Sequence, residues 1–159
     1  MLTAQLETEH TVAQSMFKQA LRLAKQADEE ENPQLKFDCG YIHLSMAEAL
    51  TTRHHPVTLK EHLDEAAKLI DPAFQRRHLM VQVLRAQGDI INAKYSSGLK
   101  RDRHYGEATE LAIEALRLAK TLESRVNRDR ILGIYQQLMK SPYQHEPMVA
   151  RLGLMLANW

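Results

Sequence analysis

Apolar residues recur along this chain at intervals of three and four, the spacing of a helix that buries one face. Stretches such as "MFKQALRLAK" (16–25), "HLDEAAKLI" (62–70) and "EATELAIEALRLAK" (107–120) carry the period. Long β-branched runs and strict apolar–polar alternation are absent, so the pattern predicts an all-α chain of about seven helices. Start and stop signals divide it. The first helix runs from about 3 to 28. Asn32-Pro33 opens a second, to about 52. Thr58 with Glu61 reads as a capping box opening a third, to 70. Asp71-Pro72 opens a fourth, long helix to about 97, with Gly98 placed as its left-handed C-terminal cap. A fifth covers 102–122. Ser124 caps a sixth that stops before Pro142, and Glu146-Pro147 opens a short last helix to 158.

A longer period lies over the short one. The hexapeptide "ALRLAK" stands at 20–25 and again at 115–120. Ala20, Ala66 and Ala115 fall in similar contexts, 46 and 49 residues apart. Gly40, Gly88 and Gly133 form a second marker, 48 and 45 residues apart. A glycine inside a helix costs about 1 kcal/mol relative to alanine, so three in one phase predict close approach of a neighbouring helix. The implied unit is a pair of helices, the first marked by Gly and the second by Ala. Residues 3–30 become a leading helix, and 33–70, 72–122 and 124–158 become pairs within a single domain, 1–159. Short connections between helices predict antiparallel neighbours, and stacked pairs build an α-solenoid.

The residues that mark the pairs resemble the tetratricopeptide repeat (TPR). "ILGIYQQL" (131–138) is similar to the signature of its first helix, and "HYGEATELAIEALRLAK" (104–120) and "AQSMFKQALRLAK" (13–25) to that of its second. The unit here is longer than the usual 34 residues and looks like the long-helix variety of bacterial signalling and regulatory proteins. The resemblance implies a right-handed solenoid acting as a non-catalytic protein- or peptide-binding module, regulatory or adaptor in role, with a concave groove lined by the first helix of each pair. By position relative to Gly88 and Gly133 it assigns to that groove Arg85, Asp89 and Asn92, then Asn127, Arg130, Ile134 and Gln137. Phe37, Tyr41 and Leu44 would make the Gly40 end apolar. Arg85 and Arg130, one repeat apart, would converge on a carboxylate of the ligand.

Composition narrows the function classes. With 21 basic and 20 acidic residues the net charge is +1, which gives no general attraction to nucleic acid or anionic membrane. The basic clusters "LKRDRH" (99–104) and "SRVNRDR" (124–130) keep a helical nucleic-acid-associated regulator as the alternative, although Asp102 and Asp129 dilute both. No apolar run reaches the length of a membrane span. One cysteine, Cys39, fits a reducing, cytoplasmic setting. No phosphate loop, nucleophile elbow or zinc-protease motif appears, so no enzyme and no cofactor is expected. Glu7 and His10 form one Glu-x-x-His pair with no second to match, and His54, His55 and His62 complete no ligand set, so no metal is expected either. The segment "MVARLGLMLANW" (148–159) is apolar around much of its circumference, which predicts burial on two sides or pairing with a second copy of the chain.

Overall fold

The computed structural model describes residues 2–29, 39–53 and 56–159, and their side chains over 11–26, 39–51 and 58–159. Within them the chain is all-helical, seven helices and no strand: α1 (Leu2–Glu29), α2 (Cys39–Arg53), α3 (Pro56–Leu69), α4 (Gln75–Lys94), α5 (Gly98–Thr121), α6 (Arg125–Leu138) and α7 (Pro147–Ala157). None is long and apolar enough to cross a membrane among the described residues. Asn32-Pro33, Phe37, His54 and His55 lie outside the described residues.

Local signals explain most of the boundaries, and three are corrected. Pro56, whose fixed φ suits a first helical turn, starts α3 two residues before Thr58, so Thr58 is inside the helix and not its cap. Asp71 makes a side-chain turn instead of a direct cap: its Oδ1 accepts from Ala73 N at 2.8 Å, and α4 begins only at Gln75. Gly98 does take a positive φ, +54°, yet α4 has already ended at Lys94 and the glycine opens α5. The left-handed residue that closes α5 is Glu123, φ +51°. The Ser124 amide then reaches back to the Ala119 carbonyl at 2.8 Å, the bond that satisfies the end of a Schellman turn.

Two buried clusters meet on α4. One joins Leu44, Ala47 and Leu50 of α2 and Leu59, Leu63 and Ala66 of α3 to Val81 and Leu84 of α4. The other joins Leu79, Val83, Ala86, Ile90 and Ala93 of α4 to α5, α6 and α7. A helix that buries residues around its whole circumference must sit inside the molecule, and α4 does, packing on α2, α3, α5 and α6. Ala108, Ala112, Ala115 and Ala119 are fully buried along α5. Their small side chains let α5 approach its neighbours closely; of the alanine marker, Ala66 and Ala115 are fully buried and Ala20 only half-buried.

The glycine marker holds only in part. A Cβ on Gly88 would stand 2.9 Å from Leu59 Cδ2 of α3, the expected close approach, and Gly40 is buried, but nothing lies within 4 Å of a Cβ on Gly133. The glycine in tight contact near the C-terminus is Gly153, which meets Tyr135 of α6. In α7, Val149, Leu152 and Leu156 are buried against α5 and α6 while Leu154 stays 67% exposed. One face of this helix is therefore covered within the chain.

A pair of imidazoles couples α2 to α3. His43 Nδ1 and His62 Nδ1 are 2.9 Å apart, so one must donate and the other accept. Burial lowers both pKa values below 6.5. At His43 the Glu65 carboxylate opposes the shift and Lys25 adds to it; at His62 the neighbouring His43 adds to the shift and Glu61 opposes it. Protons therefore bind the unfolded chain more readily than the native one. The contribution of the pair is complete above about pH 6.5 and is lost as pH falls through the lower native values. Thermal melts at pH 7.5 and pH 5 should show a lower melting temperature in acid, and His43→Gln should shrink that difference. An equal drop in the variant would show that other groups cause it.

Candidate functional site

Helices α5 and α7 pack on each other, but α3 and α5 do not. The gap between them, floored by α4, is an open cleft of ≈ 570 Å³. Its floor is apolar, from Leu59 and Leu63 of α3, Gly88 of α4 and Leu111 of α5. Glu107, Glu110 and Glu114 line the α5 wall. They are spaced three and four apart, so they share one face of the helix, and all three are exposed. Asp64 and Asp89 add two more carboxylates, against the two cations Lys60 and Arg85. The cleft is therefore acidic over an apolar base.

Inside it, His104 Nδ1 is 3.0 Å from Asp89 Oδ1 and 3.9 Å from Glu107 Oε2. Burial raises the Asp89 pKa above the usual carboxylate value. The His104 hydrogen bond opposes that, Glu107 adds to it, and Lys60 pulls it down. Arg85 Nη2 donates to Asp64 Oδ1 at 2.9 Å, an ion pair between α4 and α3.

Of the residues the sequence places in one groove, the structure brings together Arg85, Asp89 and Asn92, all in this cleft. The others are elsewhere. Arg130 donates to Glu48 of α2 and, at 2.9 Å, to Met80 Sδ of α4. Met80 and Arg85 are five residues apart, about 140° around the helix. The two arginines thus serve different sides of α4, each beside its own carboxylate, and the expected convergence on one anion is corrected. Ile134 is 0% exposed, a core residue and no groove residue. Asn127 is buried in the first turn of α6, where its Nδ2 donates to Ser124 Oγ at 3.0 Å. Gln137 is exposed and accepts from Lys94 at 3.0 Å. Leu44 is buried in the α2–α3 core. Tyr41 is exposed, with the Arg77 guanidinium 5.2 Å from its ring centre. Phe37 lies outside the described residues.

Sequence reasoning missed His104 and Glu107, and the whole α5 acidic stripe. The spacing was there to read, in "HYGEATE" (104–110) followed by Glu114. What the chain does not display is that α3 stays away from this face. No protein-family model matches the chain, and comparisons with curated proteins and with solved structures give no match to set beside it.

Proposed function

We propose that this protein is a non-catalytic, TPR-like solenoid of helix pairs that binds a protein or peptide segment, a regulatory or adaptor module of the cytoplasm. Its ligand is a basic amphipathic segment held between α3 and α5. The observation that carries the reading is the stripe of Glu107, Glu110 and Glu114 above an apolar floor where two helices stand apart. A helix laid in such a groove presents apolar anchors and flanking charges at the same three- and four-residue spacing as the wall. Lys or Arg opposite the stripe satisfies it, and Leu or Met fills the space over Leu59, Leu63 and Leu111. A carboxylate-bearing ligand is disfavoured, because Arg85 already faces Asp64.

Selection from a random peptide library, in buffer containing a chelator, tests this. The expected winners combine Lys or Arg with apolar residues, and they bind less tightly as salt rises. Glu110→Lys with Glu114→Lys should weaken them at least tenfold, about 1.4 kcal/mol, while Glu146→Lys, outside the cleft, leaves them unchanged. Acidic winners, or winners indifferent to the Glu110 and Glu114 changes, would remove the reading. The alternative, a nucleic-acid-associated regulator, has one observation in its favour. Arg117, Lys120 and Arg151 lie with Trp159 along a groove between α5 and α7. Salt-dependent binding of a DNA duplex, lost in Lys120→Glu with Arg151→Glu, would favour it instead.

A further inference from the structure

We propose that Asp89, His104 and Glu107 form a site for one divalent transition-metal cation of the zinc class, set in the α4–α5 wall of the cleft. His104 and Glu107 are three residues apart and project from the same side of α5. Asp89 reaches them from α4. One nitrogen and two oxygens, one from each residue, lie within 4.8 Å of one another. A cation bonded to nitrogen and oxygen at roughly 2.0–2.2 Å holds its ligand atoms about 3.0–3.5 Å apart. The His104–Asp89 separation of 3.0 Å already meets that, and the His104–Glu107 separation of 3.9 Å needs to close by only about half an ångström. Glu107 is the exposed member, free to swing inward, whereas Asp89 and His104 are largely covered.

The donor set fixes the class of ion. An imidazole with two carboxylates suits Zn²⁺ and its first-row neighbours, while Mg²⁺ and Ca²⁺ prefer oxygen alone. Two carboxylates balance the charge of the ion. Three protein ligands leave coordination positions open toward the cleft, where water or a ligand group enters. The site shares Asp89 and Glu107 with the cleft of the peptide reading, but it rests on the mutual geometry of three side chains alone, and zinc titration without peptide tests it separately from peptide selection in chelator. Among the described residues no other group of three His, Cys, Asp or Glu side chains comes this close. The His43–His62 pair supplies two ligands only.

The full chain, freed of metal by dialysis against a chelator, is titrated with zinc chloride by calorimetry and with cobalt chloride followed by visible absorption. The expected result is saturation at one equivalent, with magnesium chloride giving none. Glu107→Gln, at an exposed position, should weaken zinc binding at least about tenfold, the scale of losing even an outer-shell partner. Asp89→Asn should do the same with its circular dichroism unchanged, and His62→Gln should bind as the wild type does. The absence of saturable uptake, an unchanged affinity in Glu107→Gln, or a loss in His62→Gln alone would each overturn the proposal.

Discussion

Replacing Ile134 by alanine should destabilise the protein by about 2–5 kcal/mol, the range for large-to-small changes in a closed core. Ile134 is fully buried and belongs to the cluster that joins α4, α5, α6 and α7. Its neighbours in that stripe, Asn127, Ile131 and Leu138, are buried as well. They are spaced four, three and four apart, so α6 has one face and that face is covered. Truncation leaves a cavity that helices packed on three sides cannot readily collapse. Denaturant unfolding monitored by circular dichroism gives the number, and the slope of the transition should stay the same. A groove residue would behave in the opposite way, with stability within about 0.5 kcal/mol of wild type and ligand affinity reduced. The substitution therefore separates the core position that the structure shows from the groove position that the TPR resemblance implies.

Gly153→Val should be the second large loss, about 1–3 kcal/mol from overpacking. A Cβ at 153 would lie 2.7 Å from Tyr135 Oη, 2.9 Å from Cζ and 3.0 Å from Cε2. Three atoms of a rigid ring are met at once, so no single rotation of a flexible tip relieves the contact. Helix propensity works the other way, because Gly costs more in a helix interior than Val does, but by only a few tenths of a kcal/mol. Packing decides the sign. The check is a double-mutant cycle with Tyr135→Ala. Where the ring is absent, Gly153→Val should cost little or become favourable, giving a coupling of about 1 kcal/mol or more. Additive losses would mean that the strain lies elsewhere. At Gly88 the same geometry is milder, since the atom met is the end of the Leu59 side chain, which can turn away.

These two sites show how a sequence signal can be sound and still be assigned to the wrong partner. The glycine spacing aligned Gly133 with Gly88 and so turned Ile134 outward. The apolar spacing of α6 points the other way, and it agrees with the structure. Burial of Ile131, Ile134 and Leu138 is a term of several kcal/mol, whereas a glycine facing open space costs about 1 kcal/mol. When the two markers conflict, the larger energy sets the rotation of the helix. The Arg85–Arg130 pairing failed with the same alignment. Arg130 turned toward Glu48 of α2 and Arg85 toward Asp64 of α3.

The sequence by itself determined that the described chain is helical and, from residue 56 on, roughly where the helices begin and end, because prolines, turn residues and the three-to-four period act over a few residues. The shared face of Glu107, Glu110 and Glu114 is also written in the sequence, although it was passed over, since it follows from helical geometry alone. Only the tertiary structure decided that α4 lies at the centre, that α3 and α5 stay apart, and that Asp89 meets His104 from another helix. Those outcomes depend on how helices far apart in the chain share their buried faces. That sharing is a sum over many weak contacts, none of which is written in any one segment.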